Sequence, residues 1–136
     1  AVRWCKVAVI RFTRANIPVI RLGLYATGEM EEKGNILAGP YHPAFRNLVD
    51  AALFRDMTLE LLAEAGEIGS GPVFHVAPAD LSSFNGVGRG NRVFLEAHFG
   101  SGSVKVKTDS SLRRGTLELR DGLNRYETSM AEVGIV

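Results

Sequence analysis

Two short runs in this chain combine residue types able to do chemistry with backbones that can aim them. Residues 39–43 read Gly-Pro-Tyr-His-Pro. Pro40 and Pro43 restrict the loop, so the Tyr41 phenol and the His42 imidazole are held in fixed directions. An imidazole can carry protons near neutral pH, which makes Tyr41 and His42 candidate substrate- or cofactor-facing groups. The plainer alternative is that His42 packs beside the following helix and Tyr41 fills an apolar seam. Residues 85–92 read Asn-Gly-Val-Gly-Arg-Gly-Asn-Arg. The glycines let backbone approach a phosphate just before a helix start, with Arg89, Asn91 and Arg92 in reach, so the run is a candidate anion or RNA-backbone contact. Its spacing fits neither the dinucleotide-binding glycine fingerprint nor a Walker loop. Otherwise it is a loop that joins two elements, with Asn91 satisfying exposed amides.

Two further signals are weaker. Arg21 stands inside the apolar run Pro-Val-Ile-Arg-Leu-Gly-Leu, where a guanidinium needs a partner or solvent. If that run is a strand, Arg21 and Tyr25 lie toward its C-terminal end, where ligands gather in α/β architectures. Lys105 and Lys107 share one strand face by the two-residue period and, with Arg89 and Arg92, could guide an RNA backbone, although no aromatic platform is interleaved with them. A solvated sheet face is the default for the two lysines. His42, His75 and His98 are too widely spaced for a zinc pattern, and no Gly-x-Ser-x-Gly nucleophile motif occurs.

The elements that must position these residues follow from periodicity. Val2, Cys5, Val9 and Phe12 recur at three- and four-residue intervals, so residues 1–15 read as an amphipathic helix. No capping side chain precedes Ala1, and we expect the chain to begin inside a longer helix. Asn16 closes the helix, Pro18 forbids its continuation, and Val19–Leu24 reads as a buried parallel strand. Residues 26–39 have a loop composition. The spacing then predicts a long helix over 43–65, ended by Gly66 in a left-handed conformation and followed by a glycine-rich linker. Beyond it we expect a strand at 73–77, a turn capped by Asp80, a helix at 90–99, and strands at 104–108 and 116–120. The order strand, helix, strand predicts a right-handed crossover with parallel strands. Asp121-Gly122 predicts a hairpin return over 121–128.

Composition narrows the function classes. The chain has 136 residues, 46% of them hydrophobic and 23% charged, which is enough to bury a core and too apolar for general disorder. The formal net charge of +1 gives no global case for nucleic acid. A single cysteine excludes an internal disulfide, and no secretory leader pattern opens the chain, so a cytoplasmic location is expected. No apolar run approaches the ~18 residues that a membrane span requires, so no membrane partner is expected.

The order NIPVIRLGL, AGPYHPAFRNLVDAALFRDM, NGVGRGN and VKVKTD resembles the C-terminal end of radical SAM proteins related to the catalytic subunit of Elongator and to oxygen-independent coproporphyrinogen oxidases. The resemblance covers nearly the whole chain. It implies an α+β chain with α/β elements: residues 1–25 as the terminal helix–strand unit of a partial barrel, 26–70 as a connecting loop and anchoring helix, and 71–136 as a small α/β accessory domain. It also implies that the full-length protein holds a [4Fe-4S] cluster and S-adenosylmethionine on a Cys-x3-Cys-x2-Cys loop, and that Arg21 faces that cofactor. The chain itself has only Cys5, so we expect no catalytic centre here. The implied partners are the preceding barrel of the same chain and a transfer RNA or small-molecule substrate. An acetyltransferase domain like that of the Elongator subunit is not recognisable after Gly100. The competing function is an RNA- or protein-binding module.

Overall fold

The computed structural model describes residues 1–20, 22, 45–66, 68, 72–100, 102 and 104–134. Helix α1 spans Val2–Arg14. It stops where the sequence says it should: the Ile17 amide donates to the Phe12 carbonyl at 2.8 Å and the Asn16 amide to the Thr13 carbonyl at 3.1 Å. Asn16 sits at φ +58°. This is the paired 6→1 and 5→2 closure of a left-handed helix cap, with asparagine in the place more often taken by glycine. Pro18 follows and cannot donate to a further turn.

The strand predicted over Val19–Leu24 is not formed at the residues described there. Val19, Ile20 and Leu22 belong to no sheet. An apolar run becomes a buried strand only when neighbouring strands satisfy its amides and carbonyls. Here the Val19 carbonyl instead accepts from Arg46 Nη1 at 3.2 Å, and Ile20 is 93% exposed. Residues 23–44, and with them the predicted loop, lie outside the described residues.

Helix α2, Phe45–Ala65, is the structural axis. Val49, Leu53, Met57 and Leu61 recur on one face and are fully buried, while Phe54 and Thr58 are buried on a second face. The helix is therefore packed on more than one side, by α1, by the sheet and by α3. Gly66 ends it at φ +69°. The predicted left-handed stop is observed.

After α2 come β1 (Val73–Val76), a 3₁₀ turn at Pro78–Asp80, the short α3 (Leu81–Asn85), a second 3₁₀ turn at Val87–Arg89, α4 (Gly90–Phe99), β2 (Lys105–Thr108), β3 (Thr116–Asp121) and β4 (Asn124–Ser129). The strands make a four-stranded sheet in the order β2-β1-β3-β4. β2 is parallel to β1, and the pairs β1/β3 and β3/β4 are antiparallel. The β3–β4 return has two loop residues, with Gly122 at φ +61° in the first central position, where a tight hairpin turn requires glycine. The fold is thus α+β with a mixed sheet.

Register assigns the two sheet faces. Phe74, Val76, Val106, Leu117, Leu119, Tyr126 and Thr128 are cross-strand neighbours on one face. That face joins Val9 and Ile10 of α1, the buried row of α2, Phe84 and Leu95 in a single apolar core. The other face carries Lys105, Lys107, His75, Glu118, Arg120, Arg125 and Glu127. The tail then folds back. Val133 is buried, the Gly134 amide donates to Glu60 at 2.9 Å, and the Arg14 guanidinium donates to the carbonyls of Ala131 and Val133. No helix of the described residues is long and apolar enough to cross a membrane.

Candidate functional site

The side of α1 turned away from the core is the first unusual surface. Trp4, Ala8 and Phe12 recur every four residues, which places them on one stripe. Trp4 is 77% exposed and Phe12 46%, and Ile17 and Ile20, beyond the helix end, are exposed as well. Large aromatic side chains left in water forgo roughly 1.5–3 kcal/mol each of transfer free energy that burial would supply. Contiguous exposure of this kind marks an interaction surface.

Charge on α1 is one-sided. Arg3, Lys6, Arg11 and Arg14 are all basic, and no acidic residue occurs before Glu29. Lys6 is neutralised by Asp56 of α2 at 2.6 Å, and Arg14 holds the tail. No ion pair or hydrogen bond among the described residues engages the side chain of Arg3 or Arg11. The outward face is therefore an apolar stripe flanked by free guanidinium groups.

The glycine–arginine run takes a different form from the one its sequence suggests. Gly86, at φ +86°, packs against the next helix: a Cβ built there would lie 2.7 Å from the Asn91 amide nitrogen and 2.9 Å from Asn91 Cγ. Its freedom serves close packing. Asn91 is buried, and its side-chain amide donates to the carbonyls of Ala51 at 2.8 Å and Ser83 at 3.3 Å. These bonds tie α4 to α2 and α3, so Asn91 is committed to the interior rather than to an external anion. Arg92 is similarly engaged: one Nη donates to the Val104 carbonyl at 3.0 Å, and the same nitrogen lies 3.8 Å from Glu96. Arg89 is exposed, in a left-handed conformation at φ +59°, and alone of the three its side chain has no partner among the described residues.

Lys105 and Lys107 are exposed on β2 and face the polar side of the sheet, as the period predicts. The structure adds a row that single-strand reasoning misses. Lys107, His75, Glu118 and Glu127 are paired in register across β2, β1, β3 and β4. Arg120 folds over them, its Nε 2.5 Å from Glu118 Oε1 and an Nη 3.6 Å from Asp109 Oδ2. Burial first and the Arg120 guanidinium second push the His75 pKa below its ordinary value, with Lys107 acting the same way against Glu118 and Asp109. Hydrogen bonds from the Ser111 hydroxyl and amide hold the Asp109 carboxyl low. Lys107 thus shares its row with His75, Glu118 and Glu127, whereas Lys105 shares the next row with Arg120 and Arg125, of which Arg120 is paired with Glu118 and Asp109. Arg21, Tyr25, Tyr41 and His42 lie outside the described residues.

Among the described residues, no group of His, Cys, Asp or Glu could hold a metal ion. Cys5 is half-buried on α1 and is the chain's one cysteine. An iron–sulfur cluster takes several thiolates, so this donor set does not fit one. In comparisons with known proteins, the chain matches no family model and no curated protein.

Proposed function

We propose that this chain is the C-terminal portion of a radical SAM protein related to the Elongator catalytic subunit and the oxygen-independent coproporphyrinogen oxidases, and that it packs on the barrel and shapes substrate access. The observation that carries the reading is the outward face of α1. A helix that belongs to the end of a barrel must bury a second side against the barrel elements before it. In this reading Trp4 and Phe12 are that second side, with the exposed Ile17 and Ile20 following the helix. Arg3 and Arg11 beside them call for carboxylates on the surface they meet. In this reading Arg21, Tyr25, Tyr41 and His42 face the substrate or cofactor, and the cluster with its bound S-adenosylmethionine is held by cysteines outside this chain.

The second reading, an RNA- or protein-binding module, rests on Arg89, Lys105 and Lys107. It has less support, because Asn91 and Arg92 are used internally and Arg120, beside the lysines' side of the sheet, is paired with Glu118 and Asp109. The coding sequence that precedes Ala1 tests the choice. The first reading expects an in-frame segment with a Cys-x3-Cys-x2-Cys motif. An initiation codon immediately before Ala1, or an unrelated upstream domain, would contradict it.

A further inference from the structure

A cleft of about 620 Å³ opens where the C-terminal end of β1 meets the starts of α2 and β3; its walls include Arg46, Asp50, Asp80, Arg113, Arg114 and Thr116. Three guanidinium groups therefore share one cavity, and two of them are held from behind. Asp80 is buried. Its Oδ1 accepts from Arg114 Nε at 2.7 Å, and its Oδ2 from the Gly115 amide at 2.7 Å. Asp50 accepts from Arg46 Nε at 2.9 Å through Oδ1 and 3.1 Å through Oδ2.

Both pairs use the inner nitrogen. No hydrogen bond among the described residues engages the terminal nitrogens of Arg114, whose side chain is 70% exposed, and Arg46 uses only Nη1, toward Val19. The side chain of Arg113 has no partner among the described residues. An ordinary structural ion pair accounts for the bonds between Asp80, Arg114 and Gly115, which tie the β2–β3 loop to the end of β1. It does not account for three guanidinium groups lining one cleft, two of them fixed at the inner nitrogen with outer nitrogens to spare. A buried carboxylate behind Nε fixes the plane of the fork and leaves its outer edge to pair with a second set of oxygens.

We propose that this cleft binds a phosphate group, with Arg113, Arg114 and Arg46 as its donors and Asp80 and Asp50 as the groups that orient them. Thr13 and Thr116 on the same walls add hydroxyls, while Glu127 and Glu132 also line the cleft. Those two carboxylates oppose further negative charge, so a ligand with a single phosphate is favoured over a polyanion. This site is separate from the outward face of α1 and stands whether or not that face docks on a barrel. The same phosphate chemistry belongs to a free phosphomonoester and to the backbone of a nucleic acid.

The test is a titration of the ¹⁵N-labelled chain with inorganic phosphate at constant ionic strength, following the Arg114 Nε–H and Gly115 amide resonances. Saturable shifts at these two positions are expected, and Arg113→Ala/Arg114→Gln should weaken binding by about tenfold or more, a difference of roughly 1.4 kcal/mol. Arg125→Ala, on the polar sheet face, should leave it unchanged. A 5′-nucleoside monophosphate and a single-stranded RNA, titrated in parallel, assign the source by which binds more tightly. Identical shifts with chloride at the same ionic strength would overturn the proposal. So would unchanged affinity in the double variant. If Arg114→Gln does not fold, Arg113→Ala carries the test alone, since it breaks no contact; an undiminished affinity in that variant would also overturn it.

Discussion

At the scale of single residues, the structure converts suggestive types into definite jobs. Gly86 and Asn91 look from the sequence like parts of an anion loop, but each is explained by the other. A methyl group at Gly86 would collide with the Asn91 backbone in a conformation that side chains rarely adopt. Gly86→Ala should therefore destabilise the fold by about 1–3 kcal/mol, measured by denaturant unfolding; stability equal to wild type would show that the loop does not pack this way. His75 makes a second case. Its folded pKa lies below the ordinary 6.5 of a free imidazole, chiefly through burial. As pH falls through that value the unfolded chain takes up the proton first, so stability is full above about 6.5 and declines below it. Unfolding midpoints measured across this range should fall with acidity in the wild type and less steeply in His75→Gln. A midpoint that rises on acidification would reverse the assignment. Neither role was visible along one strand or one loop: the Gly86–Asn91 approach and the Lys107, His75, Glu118, Glu127 row are products of tertiary packing and register.

At the scale of elements, most of the architecture follows from period and punctuation. The α1 stop at Asn16, the α2 stop at Gly66 and the α4 span rest on local chemistry and form where that chemistry points, and the expected hairpin forms with its turn one residue later, at Gly122 and Leu123. The parallel β1/β2 pair follows from the intervening helix. The exception is informative. Val19, Ile20 and Leu22 satisfy every local criterion for a strand and belong to none, because strand formation depends on neighbours rather than on the run itself. Helix α2 is the element on which the others depend. Leu53 is fully buried in its middle. Leu53→Ala should cost about 2–5 kcal/mol in an unfolding titration, and an unchanged midpoint would place the core elsewhere.

For the whole molecule, a single core links α1, α2, the sheet and the returning tail, and the polar sheet face and the outward face of α1 are left as its two distinctive surfaces. They differ in kind. The sheet face carries both signs of charge, with Arg120 bridging Glu118 and Asp109. The α1 face exposes Trp4 and Phe12, and Arg3 and Arg11 on the same helix have no ion pair or hydrogen bond among the described residues. Trp4→Gln should accordingly leave the stability of the isolated chain within about 0.5 kcal/mol of wild type, because the ring contributes little to the core. The measurement that bears most directly on the central claim is hydroxyl-radical footprinting of Trp4 and Phe12, read residue by residue by mass spectrometry in this chain and in the same chain joined to the N-terminal barrel that the proposal requires. The account predicts strong labelling of both rings here and marked protection of both in the longer protein; equal labelling in the two would contradict it.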